Sequence, residues 1–163
     1  MSGTVVLRSA TRADVPVILE LIRGLAEYER LAHECVATEA ALTETLFGTK
    51  PQAEVVLAFA DDRPAGFALF FSNYSTFLAR HGIYLEDLFV FPEFRGRGIG
   101  KQLLQHLAAL AVERKCGRLE WSVLDWNKDA IRFYESLGAK AMDEWTVYRV
   151  TGDALTQLAG TRP

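Results

Sequence analysis

Apolar residues recur along this chain at two periods, and the alternation between those periods lays out its elements. Residues 5–8 alternate like a short strand. Val15, Ile18, Leu19, Ile22 and Leu25 then recur three and four apart, the spacing of one buried helical face. Thr11 precedes that run with Asp14 three residues on, an arrangement in which side chains satisfy the first free N–H groups of a helix. Thr38 opens a second helical run through Leu42 to Phe47. Residues 55–60 and 65–71 read as strands joined across Asp61, Asp62, Arg63 and Pro64, a hairpin signal. Residues 72–82 read as a loop. A long strand over 83–91 follows. A helix over 98–115 comes next, with Leu103, Leu104, Leu107, Leu110 and Ala111 on its apolar face and Gly117 at its end.

Residues 118–124 read as a strand, and Asp125, Trp126 and Asn127 as a turn. Asn127 can cap a helix over 128–136 that Gly138 closes. A last strand is expected over 145–150, with a short polar tail beyond it. Local hairpins early and crossovers later predict a mixed sheet in an α/β (α+β) chain. No repeat or linker interrupts the 163 residues, so a single domain over 1–163 is expected, with its core at about 4–150.

Composition narrows the classes. Half the residues are apolar and 24% are charged, ordinary values for a globular protein. No apolar run has the length of a membrane span, and Met1, Ser2, Gly3 and Thr4 form no basic, apolar-cored signal, so a cytoplasmic location without membrane contact is expected. The net charge is −3 and no basic run exceeds two residues, which argues against a nucleic-acid partner, since neutralising phosphates needs a basic face. Cys35 and Cys116 lack metal-ligand spacing and read as incidental thiols. His33, His81 and His106 are scattered, and no metal is expected.

The chemistry concentrates in Arg95, Gly96, Arg97, Gly98, Ile99, Gly100 and Lys101, between the long strand and the helix after it. Glycines let the backbone approach a ligand, and the first N–H groups of a helix point at it with the positive end of the dipole behind them. The turn is neither a P-loop, which would end in Gly-Lys-Ser/Thr, nor a full dinucleotide fingerprint. It does fit Arg/Gln-x-x-Gly-x-Gly/Ala through Arg95, Gly98 and Gly100, and the chain thereby resembles the GNAT N-acetyltransferases. Ile83 to Val90 followed by Pro92, Glu93, Phe94 and Arg95 is similar to the diamine (spermidine/spermine) acetyltransferases and their thialysine-acetylating relatives. Trp126 and Asn127, then Ile131, Arg132, Phe133 and Tyr134, then Leu137, Gly138 and Ala139 match that branch in order. So do Leu25, Ala26, Glu27, Tyr28 and Glu29 upstream.

The resemblance implies the GNAT fold, a mainly antiparallel mixed sheet with helices on both faces. It implies acetyl-CoA as co-substrate, a small primary amine as acceptor, and a homodimer with residues 145–150 near the contact. The pyrophosphate would lie on the turn, and Phe89 and Val90 would offer backbone groups to the pantetheine arm, with Asn127 assisting. Tyr134 would protonate the departing thiolate, a sensible donor because phenol and thiol pKa values of about 10 and 8.5 lie close. Glu27, Tyr28, Glu29, Trp126 and Glu144 would contact the acceptor. Glu86 would stand at the amine, as base or as binding group. Strict strand alternation puts Glu86 and Asp87 on opposite faces, so at most one meets the site, and a solvated role fits Asp87 better.

Acidic residues favour a diamine or polyamine, and a lysine-like amino acid such as thialysine also fits. A CoA-binding regulatory module without chemistry would need neither Tyr134 nor Glu86. A protein-modifying acetyltransferase would need an open peptide groove.

Overall fold

The structure, a computed structural model, describes residues 3–160. Met1 and Ser2, read above for a targeting signal, and residues 161–163 of the tail lie outside the described residues. The chain divides into two compact units, one ending at Leu124 and one beginning at Asp125.

The first unit holds a five-stranded sheet in the order β1 (Val5–Ser9), β2 (Glu54–Ala60), β3 (Arg63–Ser75), β4 (Arg80–Val90) and β5 (Leu119–Trp121). The first four strands pair antiparallel, and β5 joins β4 in parallel. This is the mixed sheet of the GNAT fold. Helices α1 (Val15–Tyr28) and α2 (Glu39–Phe47) share a buried cluster with Val55, Leu57, Phe67 and Phe89. Val56, Ala58, Ala68 and Phe70 alternate with those residues and face the other side, where α3 (Ile99–Glu113) buries Leu103, Leu104 and Leu107.

Local chemistry sets the boundaries. Thr11 N donates to Asp14 Oδ2 at 2.7 Å, and Arg8 grips the same carboxylate through both oxygens at 2.8 and 2.9 Å. A short 3-10 turn, Arg12–Asp14, therefore precedes α1. Thr38 Oγ1 accepts from Ala41 N, capping α2. Asp61 and Asp62 both take positive φ, 51° and 63°, so the β2–β3 turn is two residues long and β3 already starts at Arg63. Pro64 lies inside β3, opposite the irregularity at Ala58 and Phe59.

Four expectations are corrected. Residues 72–82 are not a loop: Ser72 pairs with Ile83 and Ser75 with Arg80, so β3 and β4 run on as a hairpin. Its polar side chains lack the apolar alternation that betrays a half-buried strand. The strand expected over 118–124 shrinks to three residues. Residues 145–150 form no strand, because a strand exists only through paired backbone groups and no ladder reaches them. The polar tail instead contains helix α5 (Gly152–Ala159), with Leu155 and Leu158 at helical spacing.

The second unit begins at the Trp126 turn. Asn127 Oδ1 accepts from Ala130 N at 3.3 Å and caps α4 (Lys128–Ser136). Gly138, at φ 91°, closes that helix.

Candidate active site

The site of the first unit is built on an interruption in β4. Leu69 pairs with Asp87, but the next residue, Phe70, pairs with Leu85, which leaves Glu86 as an extra residue in a β-bulge. Register partners share a face of the sheet. Leu69 packs with the α1 cluster, so Asp87 faces α1; Phe70 is buried on the face of α3, so Leu85 faces α3. Strict alternation would have put both on one face. The bulge also ends the β5 pairing: β5 meets β4 only at Ile83, Tyr84 and Leu85. From Glu86 onward that edge of β4 has no strand partner among the described residues.

The bulge overturns the expectation that Asp87 is a solvated carboxylate. Glu86 is the exposed member, and Asp87 is half-buried. Burial pushes the Asp87 carboxyl up to about 7, with the charges of Glu86 and Glu29 adding to the rise. Glu29, at the C-terminal cap of α1, is also raised, first by burial and then by Glu86. Three carboxylates from α1 and β4 thus share one locality, and among the described residues none of them has an ion-pair partner. Spacing alone did not show which carboxylate α1 covers, because packing between elements leaves no compositional mark.

Glu27 and Tyr28 face a different space. They line a groove of about 600 Å³ with Arg23, Phe89, Phe91 and Arg95. Gly24 makes the close packing possible, since a Cβ there would stand 2.7 Å from the Phe89 ring. The Arg95 side chain turns back onto β4. Its Nε donates to the Val90 carbonyl at 3.0 Å, and its guanidinium lies 5.0 Å from the Tyr28 ring centre and 5.4 Å from that of Phe89.

The glycine turn has the geometry that phosphate binding needs. Gly96 and Gly98 take φ of 78° and 75°, and a Cβ on either, or on Gly100, would meet nothing within 4 Å. Gly98 is the N-cap of α3 and supplies no side-chain cap, while its carbonyl accepts from Gln102 N. The N–H groups of Ile99, Gly100 and Lys101 have no acceptor within the helix. The Ile99 side chain is buried, so only its backbone is available to a ligand. Arg97 pairs with Asp61 at 3.3 Å beside a second pocket that also includes Gln102, and Lys101 is exposed. These residues fit a pyrophosphate: donors without acceptors, a helix dipole and an open backbone.

Within the second unit, Tyr134 is half-buried on α4, its ring 5.6 Å from that of Phe133. Trp126 is 42% exposed, and Glu144 is exposed in a turn. Cys35 and Cys116 are free, half-buried thiols. Among the described residues no group of three or more His, Cys, Asp or Glu is placed to hold a metal, and no helix is long and apolar enough to cross a membrane.

The site thus combines a β4 edge left unpaired from the bulge onward with a glycine-capped helix N-terminus after the same strand. The chain belongs to the acetyltransferase (GNAT) family, whose model matches residues 21–139. It is 39% identical to the thialysine N-epsilon-acetyltransferase of Bos taurus, over 96% of this chain and 98% of that protein. It is 38% identical to the L-ornithine N5-acetyltransferase of Arabidopsis thaliana, over 93% of this chain and 86% of that protein. An integron cassette protein from the mobile metagenome of V. cholerae has the same fold, with a TM-score of 0.79, 31% identity and 99% of each chain covered. The relatives include the thialysine-acetylating proteins whose motifs the chain resembles.

Proposed function

We propose that this chain transfers an acetyl group from acetyl-CoA to a primary amine on the alkyl arm of a small cationic substrate. The observation that carries this reading is the set of Glu29, Glu86 and Asp87 at the β4 bulge, without an ion-pair partner among the described residues, where the unpaired edge of the strand that leads into the glycine turn begins. Acetyl-CoA supplies an acetyl group already activated as a thioester. The N–H groups at the start of α3 hold its pyrophosphate, and backbone groups of Phe89 and Val90 on the open edge hold the pantetheine amides. Asn127 assists them. Glu86 and Glu29 draw the ammonium in, with Glu27, Tyr28, Trp126 and Glu144 as further acceptor contacts. Tyr134 gives a proton to the departing sulfur. The amine attacks directly, since neither Cys35 nor Cys116 belongs to these groups.

The groove favours an amino-acid acceptor as the second reading. It places Arg23 and Arg95 among Glu20, Glu27 and Glu39, a mixture of signs that suits a zwitterionic head group better than a bare polyamine. The named activities of the thialysine and ornithine relatives point the same way. The proposal extends to a cytoplasmic homodimer. Trp145, Val147 and Tyr148 are 77%, 83% and 91% exposed, apolar surface that a second copy would cover.

Thiol release from acetyl-CoA, measured with spermidine, putrescine, lysine, thialysine, ornithine and a peptide, tests the function. Release with the small amines and not the peptide is expected. No release with any of them would return the chain to a CoA-binding regulatory role.

A further inference from the structure

We propose that Asp87, rather than its neighbour Glu86, accepts the proton that the acceptor ammonium must lose. This rests on the acetyltransferase reading above and names the base within that site. The geometry comes from the bulge. Glu86 is exposed and well hydrated, whereas Asp87 is turned onto the α1 face, half-buried, one pleat along from Phe89. The charged groups facing it are Glu29 from α1 and Glu86 from β4, both negative; its partner on β3 is the uncharged Leu69. Arg95, near Phe89 on the same strand face, is engaged with the Val90 carbonyl and the Tyr28 ring.

That setting suits a base that works near neutral pH. An ordinary carboxylate is a weak base toward an ammonium of about 10.4. A carboxylate whose proton affinity is lifted by burial and like charges narrows the gap, and the two neighbouring charges also hold the cation that delivers the proton. The protons balance. One passes from the ammonium to Asp87 Oδ. The neutral nitrogen then bonds the acetyl carbon as the carbon–sulfur bond breaks, and the sulfur takes a proton from Tyr134. The second N–H proton, released as the amide forms, restores Tyr134, and the proton on Asp87 returns to solvent before the next turnover.

The test is the pH–rate profile of the full chain with acetyl-CoA and two acceptors, thialysine and putrescine. The parent should show kcat/KM rising through a limb near pH 7. Asp87→Asn should lose that limb and fall about 10²- to 10⁴-fold at pH 7. The deficit should shrink toward pH 10, where the free amine supplies itself. Glu86→Gln should keep the limb, moved to lower pH by the loss of a neighbouring negative charge, and raise KM. Asp87→Glu guards against a folding artefact and should retain a limb. An Asp87→Asn enzyme that keeps both the limb and a rate within a few-fold of the parent overturns the assignment while leaving the acetyltransferase intact. So does loss of the limb in Glu86→Gln. A parent that acetylates neither amine overturns both readings.

Discussion

Asp87→Asn should make the folded chain more stable at pH 8, whatever it does to activity. The side chain keeps its shape and loses its charge. In the parent, that charge is opposed by burial, by Glu86 and by Glu29, in that order, which lifts the carboxyl from 3.8 to about 7 in the fold. The unfolded chain titrates near 3.8. Between those values the folded state binds a proton the unfolded state has given up, so stability falls as pH rises across the window. The interval of about three pH units, at 1.36 kcal/mol each, sets a ceiling of roughly 4 kcal/mol on the penalty above pH 7. The asparagine variant should escape it, and for a chain of this length each kcal/mol raises Tm by about 2–4 °C. Urea unfolding of parent and variant at pH 8 and pH 4.5 measures it. The variant should be clearly more stable at pH 8, and the difference should shrink to about 1 kcal/mol at pH 4.5. An asparagine variant no more stable than the parent at pH 8 would mean that the bulge does not hold Asp87 against its neighbours.

Asp14 should behave in the opposite sense. The Arg8 hydrogen bonds come first among the causes that hold its carboxyl down at about 2, so its stabilisation is present above pH 4 and lost as pH falls through 2. Asp14→Ala should cost about 1–3 kcal/mol at neutral pH, and a denaturation series below pH 4 should show the parent losing that advantage. Gly98→Val should raise the acetyl-CoA dissociation constant about tenfold or more in calorimetry, because a β-branched residue resists φ of 75° and covers the approach to the turn, although space for its Cβ exists. Tyr134→Phe should lower kcat by about 10²- to 10⁴-fold with little change in acetyl-CoA affinity, and a turnover within a few-fold of the parent would make Tyr134 a packing residue.

Much of this protein was written locally in its sequence. The helical face from Val15 to Leu25, the Thr38 cap, the Asn127 cap and the Gly138 stop depend on contacts within a few residues, so propensity and period suffice to find them. The glycines of the phosphate turn were legible for the same reason: positive φ at Gly96 and Gly98 is a demand of the local backbone. Leu21, fully buried, lies three residues after Ile18 and four before Leu25, on that same face. The polar end of the β3–β4 hairpin was hidden, since only pairing across the strands makes it a strand. The bulge at Glu86 belongs wholly to the tertiary structure. It arises where β4 must match β3 on one edge and release β5 on the other. That mismatch leaves Glu86 unpaired and sets Leu85 and Asp87 on opposite faces, with Asp87 beside Phe89 on the side of α1 and Glu29. Residue type and spacing named the carboxylates, but which of them is buried, and therefore which has its proton affinity raised, was decided by the sheet.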